Sequence, residues 1–590
     1  MLDAALRARV VAWRDDDPDE TTVAQTDALV TRAEAGDADA ITALTSSFGA
    51  FLEFGTAGLR GEIGPGPSRM NRAVVSRAAA GLAAYLRANS GRRAVVGYDA
   101  RHRSIDFAVD TCEILQAAGI DAHLLPTTLP TPLLAFAVQA LGFDAGVMVT
   151  ASHNPPQDNG YKVYLGDGSQ IVPPADAAIA AQIAKVTSAR ELPRSADFEV
   201  LSHDIVDAYV NAAASLIAPT APRDVRVVST SLHGVGHETW MSVMRAAGFQ
   251  LPSVVLAQAA PDPEFPTVKF PNPEEAGAAD LLLVQAAAHR ADIAIAHDPD
   301  ADRCAAGVFD PHLDRWRLLT GDELGTLLGW WTIERARRFE LPEPAGVFAC
   351  SIVSSTLLLK LAQANGIAAA QTLTGFKWIG RVPGLVFGYE EALGYCVAPQ
   401  IAADKDGITA ALRVVEMAAS LRAEGRTLLD ALDAIYAEFG RHATSQLSIR
   451  MDAASEIRAA VQRLRAQSVR RHRLDQRFDF EPRTAEDQRR HGIFHVQDAR
   501  ERLGHVRLST AGRAQQQDVA LLQFDLVATS ATGGLVLDAA VVVEHRDCQH
   551  LLGGILTDDE VIEECANLSR CWNVLQPQTL RIGNFVFDDL

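Results

Sequence analysis

The sequence predicts an α/β protein of several domains, with buried, mixed but mostly parallel sheets. Three observations carry that expectation. Short continuous apolar runs alternate with amphipathic stretches, as in strands covered on both faces by helices. The chain has 590 residues, too many for one core and enough for three or four domains. The conspicuous polar clusters each follow an apolar run, and in such sheets ligands bind beyond the carboxyl ends of the strands.

Taken in order, "VVSRAAAGLAAYLRANSG" reads as a helix stopped at Gly91. "RRAVVGYDARHRS" is a strand ending in a charged loop, and "AGVMV" is a short buried strand before the loop "TASHNPPQDNG". "LPRSADFEV" precedes a helix from about Asp204. "RVVSTSLHGVG", "ADIAIAHDPDADR", "GVFACSIVSS" and "GLVFGYEEALG" repeat the strand-then-loop plan. "FDPHLDRW" is a hairpin before a helix in "LLTGDELGTLLGWW", and "EFGRHATSQLSIRM" starts another strand. The resulting blocks are 1–203, 204–320, 321–440 and 441–590, the last changing character after about Ser468.

Composition narrows the function. A formal net charge of −20 disfavours nucleic acid and anionic membrane as partners, because both need a basic face. The most membrane-like stretch, "VALLQFDLVATSATGGLVLDAAVVV", is interrupted by Asp525 and Asp538. Seven cysteines without clustered spacing suggest neither a disulfide framework nor a zinc site. The N-terminal residues lack the apolar run of a signal peptide, so a reduced, cytoplasmic protein is expected. Of six lysines, Lys162, Lys377 and Lys405 fall inside turn-rich loop motifs. The oligomeric state is left open.

Four loops carry candidate chemistry. In "HDPDADR" Asp298, Asp300 and Asp302 alternate, and in an extended segment alternate side chains share one face. Three carboxylates so close repel unless a cation lies between them, and hard oxygen ligands suit Mg²⁺. A calcium EF-hand is excluded because Arg303 stands where that loop needs glycine; the bland alternative is a solvated acidic loop. "FGTAGLRGEIG" offers glycines for close backbone approach and Arg60 to fork onto a phosphate, or is simply a glycine-rich surface loop. In "GYEEALG", Glu390 and Glu391 either accept hydrogen bonds from sugar hydroxyls or begin a helix whose N-terminus favours negative charge. "TASHNPPQDNGYKVY" pins Ser152 beside His153 at a strand end, with Lys162 nearby; alone it is also an ordinary strand-to-helix turn.

The order of "GTAGLRG", "TASHNP", "DPDADR", "GYEEALG" and "DKDG" resembles the α-D-phosphohexomutase superfamily over about residues 50 to 465. "FGTAGLRG", "TGFKWIG" and "GYEEALGY" are most similar to the phosphoglucomutase-2 and phosphopentomutase branch. The resemblance implies three similar α/β domains around a central cleft and a divergent fourth domain. It implies a phosphosugar mutase, with Ser152 as the phosphoserine that donates a phosphoryl group and takes another back from a sugar bisphosphate. It further implies Mg²⁺ on Asp298, Asp300, Asp302 and the Ser152 phosphate, with glucose 1,6-bisphosphate as activator and intermediate. Arg60, His153 and Lys162 then surround the serine; Arg303, Lys377, Glu390, Glu391 and Lys405 meet the substrate, a small sugar phosphate. Glucose phosphate is the expected substrate. Ala392 departs from the serine of many hexose mutases, so mannose and pentose phosphates stay open.

The resemblance fails in the tail. The family's Arg-x-Ser-Gly-Thr-Glu-Pro loop, which clamps the second phosphate, is absent from the sequence, and "RLSTAGR" at 507–513 lacks its order. The tail reads as a replacement domain or a shifted reading frame. A competing function is therefore an impaired sugar-phosphate-binding protein, or a slow phosphatase.

Overall fold

Three sheets in succession carry residues 59–396, and each has a parallel centre with an antiparallel margin. The computed structural model describes residues 3–54, 58–451, 518–528 and 535–544. The chain divides into two units, Met1–Gly440 and Arg441–Leu590.

The first sheet contains β1 (Leu59–Glu62), β2 (Arg93–Tyr98), β3 (Asp121–Leu124), β4 (Ala145–Val149), β5 (Asp158–Leu165) and β6 (Glu199–Val200), in the order β1-β5-β4-β2-β3-β6. Strands β4, β2, β3 and β6 run parallel; β5 is antiparallel to both β4 and β1. The second contains β7 (Val227–Thr230), β8 (Ser253–Val254), β9 (Ile293–His297), β10 (Cys304–Asp310) and β11 (Arg315–Leu318), ordered β11-β10-β9-β7-β8. The third contains β12 (Val347–Ser351), β13 (Ala368–Thr372), β14 (Leu385–Glu390) and β15 (Gly394–Cys396), ordered β13-β12-β14-β15. In every sheet the change of direction is a hairpin leaving the carboxyl end of a central strand. These hairpins are 150–157 between β4 and β5, 298–303 between β9 and β10, and 391–393 between β14 and β15.

The strands are buried along nearly their whole length where they are central, as in β4 and β9, which explains their unbroken apolar sequence. One core packs the outer face of the first sheet against helices Ala4–Asp16 and Ala38–Phe48 through Val10, Trp13, Leu44 and Phe48. Asp3, Asp19 and Asp37 cap the three N-terminal helices with their side chains. A second core runs from Met148 in the first sheet through Ile295 in the second to Phe348 in the third. Helix Gly407–Ala423 lies inside that core and is buried on nearly all sides.

Two local readings change. The helix read from "VVSRAAAGLAAYLRANSG" spans Arg72–Ala88, and the left-handed residue after it is Ser90 (φ 65°), not Gly91. Gly91 N–H instead bonds back to Leu86 O at 2.8 Å, closing the last turn. "GYEEALG" opens no helix: Glu390 ends β14 and the chain turns straight into β15. The hairpin at 309–316 and the helix of "LLTGDELGTLLGWW", which spans Gly321–Arg338, are both present.

The second unit contributes β16 (Arg441–Met451), β17 (Asp518–Ala528) and β18 (Leu535–Glu544), an antiparallel sheet in that order. The apolar stretch that contains Asp525 and Asp538 is thus two strands. No described helix is long and apolar enough to cross a membrane. The helix read at "AASEIRAAVQRLRAQ" and the basic segment after Ser468 lie outside the described residues, as does "RLSTAGR".

Candidate active site

Ser152 follows the end of β4 with φ 53°, a left-handed conformation that a residue other than glycine adopts only when its surroundings hold it there. Its N–H donates to Thr150 Oγ1 at 2.8 Å. Arg101, buried at the end of β2, holds the rest. Its guanidinium donates to the carbonyls of Ser152 (2.5 Å), Asn154 (2.5 Å), Pro155 (2.8 Å) and Asp158 (3.2 Å). The Phe265 ring covers the guanidinium, 4.9 Å from centroid to Cζ. So held, Ser152 Oγ donates to Asp298 Oδ2 at 2.8 Å and lies 3.1 Å from His153 Nδ1. Burial pushes the His153 imidazole well below its usual range, and Arg303 and Arg60 push it further.

Register places the next cations. Arg60 in β1 pairs with Gly160 in β5, and Lys162 is two residues along β5, so both lie on one face of the sheet. Arg60 Nη1 donates to Asn154 Oδ1 at 3.2 Å. The loop before Arg60 needs glycine at Gly58 (φ 81°), where a Cβ would fall 1.9 Å from Tyr161 O.

The aspartate loop corrects one step of the sequence argument. Residues 298–303 are the turn of the β9–β10 hairpin, with Ala301 left-handed at φ 51°, rather than an extended segment. The turn nevertheless brings the three carboxylates together: ligand oxygens of Asp298, Asp300 and Asp302 all lie within 4.8 Å of one another, fully buried. The solvated-loop reading is excluded by that burial. Lys162 Nζ reaches Asp300 Oδ2 (2.7 Å) and Asp302 Oδ2 (2.9 Å), and Lys405 Nζ reaches Asp302 Oδ2 (3.4 Å). Thr131 Oγ1 donates to Asp300 Oδ2 at 2.5 Å, and Arg303 N–H to Asp298 Oδ1 at 3.0 Å. Burial would raise all three carboxyls. Lys162 and Lys405 more than reverse this at Asp302, while at Asp298 the neighbouring Asp300 and Asp302 add to it and its carboxyl stands well above the usual range. Asp300 Oδ1 and Asp302 Oδ1 are buried without a hydrogen-bond partner. Two orphaned acceptors beside a carboxyl short of counter-charge are what a cation bound by hard oxygens would satisfy.

The third hairpin docks on the second. Arg303 bridges to Gly394 in β15, and Cys304 N–H donates to Leu393 O at 3.1 Å. This sets Glu390, buried at the end of β14, among Arg303 and Lys405, which offset part of the rise that burial imposes on its carboxyl. Glu391 turns elsewhere: its Oε2 meets Ser351 Oγ (2.8 Å) and Ser354 Oγ (2.9 Å). Lys377, in the one-turn helix Phe376–Ile379, has Asp176 and Arg381 as charged neighbours rather than the aspartates, and burial lowers its amine to about 8. Arg101, Thr131 and Asp404 were not singled out from sequence. The cluster "YDARHRS" at a strand end was the available signal for Arg101. Thr131 and Asp404 reach the site from another loop and another domain. Asp404 accepts from Tyr164 OH at 2.8 Å, tying the third domain to the first.

Models of the three α/β/α domains of phosphoglucomutase/phosphomannomutase match residues 52–190, 207–312 and 320–439. The chain belongs to this family. A Haemophilus influenzae protein named "Probable phosphomannomutase" is 48% identical over 394 residues, covering 66% of this chain and 80% of that protein. Human phosphopentomutase is 38% identical over 437 residues, 68% of this chain and 70% of that one, and proteins named phosphoglucomutase also match. The crystal structure of a phosphoglucomutase/phosphomannomutase family protein from Burkholderia thailandensis has the same fold, with a TM-score of 0.57 at 19% identity. The match covers 88% of this chain and 98% of that one. The chain is a phosphomutase, an intramolecular phosphotransferase of this family's type.

Proposed function

We propose that this phosphomutase interconverts glucose 1-phosphate and glucose 6-phosphate through a phosphoserine at Ser152. The single observation behind it is the 2.8 Å hydrogen bond from Ser152 Oγ to Asp298, one of three buried, converging carboxylates from another domain. A phosphate on that oxygen sits at the mouth of the carboxylate cluster, beside Lys162 and His153.

In the phosphorylated enzyme, the sugar hydroxyl attacks phosphorus, the P–Oγ bond of Ser152 breaks and a new P–O bond forms, giving glucose 1,6-bisphosphate. The hydroxyl proton passes to a group at the serine loop, where His153 and Lys162 stand. After the bisphosphate turns over in the cleft, Ser152 Oγ attacks the other phosphorus and the proton returns to the released hydroxyl. Asp298, Asp300, Asp302 and the Ser152 phosphate would hold Mg²⁺, which when bound neutralises charge on the transferring group. Arg60 and Arg303 contribute fixed positive charge to the phosphoryl oxygens, Glu390 accepts from sugar hydroxyls, and Lys405 and Lys377 meet the substrate or its distal phosphate. Such transfer depends on positioning more than on covalent chemistry. A small phosphosugar substrate and the four buried free thiols among the described residues suit a cytoplasmic enzyme.

A second reading is a pentose phosphate substrate. Ala392 favours it, because the sugar hairpin presents a methyl group where many hexose mutases carry a hydroxyl. The test compares kcat/KM on glucose 1-phosphate, mannose 1-phosphate and ribose 1-phosphate, with Mg²⁺ and catalytic bisphosphate. A preference of more than tenfold for mannose or ribose 1-phosphate overturns the glucose assignment. Binding without turnover, or release of free phosphate, overturns the mutase mechanism.

A further inference from the structure

Behind the sugar hairpin lies a polar cluster that the reaction above does not use. Glu391 Oε2, Ser351 Oγ and Ser354 Oγ form a triangle with sides of 2.8, 2.8 and 2.9 Å. Each short O···O contact needs one proton between its oxygens. The two serine hydroxyls supply two. The backbone amides of Ser354 and Glu391 also donate into the triangle, to Ser351 Oγ (3.1 Å) and Ser354 Oγ (3.2 Å), so they add no proton to its sides. The third proton has one remaining source, the carboxyl of Glu391.

We propose that Glu391 is a positioning residue that works as a neutral carboxylic acid, its proton completing the Ser351–Ser354–Glu391 triangle and so fixing the turn that presents Glu390 to the sugar. The inference rests on the phosphosugar reading only for what Glu390 touches. The surroundings agree with it. Among the described residues, the charged groups that act most on Glu391 are Glu390, the last residue of β14, and Asp322 from helix Gly321–Arg338, with Tyr395 from β15 also facing it. None is a cation. Asp322 is itself engaged, accepting from Ser355 N–H (2.7 Å) and Tyr389 OH (2.8 Å). Burial, then Glu390 and Asp322, push the Glu391 carboxyl up to about 8. Helix Gly321–Arg338 also begins against this turn: a Cβ on Gly321 would fall 1.7 Å from Glu391 O, so a shift of Glu391 presses directly on the helix.

Ionisation removes one proton from the triangle and sets a second negative charge beside Glu390. The turn then loses one of its three ties. Glutamine at the same position donates through its amide at every pH, so E391Q keeps the triangle supplied and removes the titration.

The test follows wild type and E391Q from pH 6.5 to 9 by two readouts. The first is the melting temperature, which needs no substrate. A carboxyl raised in the folded state stabilises below its unfolded value, and that stability is lost as pH rises through the folded value near 8. The wild type should therefore fall on the order of 2 °C relative to E391Q across this range. The second is the ratio of kcat/KM, E391Q over wild type, which should rise about tenfold between pH 7 and pH 9. Titration of Lys377 is common to both enzymes and cancels in the ratio. S354A, which deletes one proton of the triangle, should raise KM for the sugar phosphate with a smaller change in kcat. A flat melting difference shows that Glu391 is ionised throughout and overturns the proposal. A changing melting difference with a flat activity ratio also overturns it, because the proton then stabilises the fold without setting the sugar turn. If no sugar phosphate is turned over at all, the reaction assigned above fails, while the melting comparison still decides the protonation of Glu391.

Discussion

At Ser152 the proposed nucleophile is set by its backbone before any side chain acts on it. A left-handed φ at a serine costs free energy, and the site recovers it through Arg101, whose guanidinium closes onto four carbonyls of one loop. S152A should lower turnover at least about a thousandfold, with bisphosphate binding retained, since the carboxylates and lysines stay in place. Steady-state rates and calorimetry check this, and an S152A enzyme that turned over normally would move the phosphoryl carrier elsewhere. R101K tests the support. A lysine ammonium keeps the charge but cannot fork across four carbonyls. The expected result is a loss of about 2–3 kcal/mol in stability and a fall in kcat larger than any rise in KM, because the oxygen that reacts is displaced more than the substrate contacts. A rise in KM alone would show that Arg101 serves binding instead.

At the scale of elements the three hairpins are variations on one device. Each leaves the carboxyl end of a central strand and aims its turn at the same place: Ser152 from the first, the three aspartates from the second, Glu390 from the third. The apolar runs made those strands legible, and so the positions of the loops. The shape of the turns was not legible. Asp298, Asp300 and Asp302 converge because β9 and β10 pair antiparallel and Ala301 goes left-handed, a long-range constraint that alternate spacing reached by the wrong route. Glu391 looks equivalent to Glu390 in sequence, yet it is the first residue of the turn after β14, its carboxyl engages Ser351 and Ser354, and Glu390 is the one set among Arg303 and Lys405. The N-terminal helices carry weak sequence signals, being polar on much of their surface. Gly234 shows how closely the elements fit. A Cβ there would lie 2.2 Å from Pro299 Cα and 2.3 Å from Pro299 O, both backbone atoms of the aspartate turn. G234A should therefore push that turn and weaken Mg²⁺ activation about tenfold. Titrating activity with Mg²⁺ checks it; an unchanged activation constant would mean the turn yields without disturbing its carboxylates.

At the scale of the whole molecule, the question is what the second unit, Arg441–Leu590, adds to catalysis. The contacts described above that assemble the candidate site are made among residues of Met1–Gly440. Ser152 to Asp298 and Lys162 to Asp300 join the first domain to the second. Tyr164 to Asp404 joins the first to the third, and Tyr209 to Asp406 links the helix that opens the second domain to the helix behind the aspartate turn. One apolar core continues through all three sheets of this unit. A phosphate clamp needs several donors converging on one anion, commonly backbone N–H groups of a turn with hydroxyls and an arginine. The sequence after Ser468 offers arginines but no glycine-containing turn with serine and threonine in the family's order. The chain ended after Gln467 should thus melt cooperatively and keep kcat/KM within about threefold of the full chain, a difference below ~0.7 kcal/mol. The KM for glucose 1-phosphate should already be high in both, because the sequence lacks the family's clamp motif for the phosphate that is not being transferred. Side-by-side kinetics on the two chains decide it. A large loss of kcat/KM in the shortened chain, with its melting unchanged, would show that residues beyond 467 close the site by donors outside the family pattern.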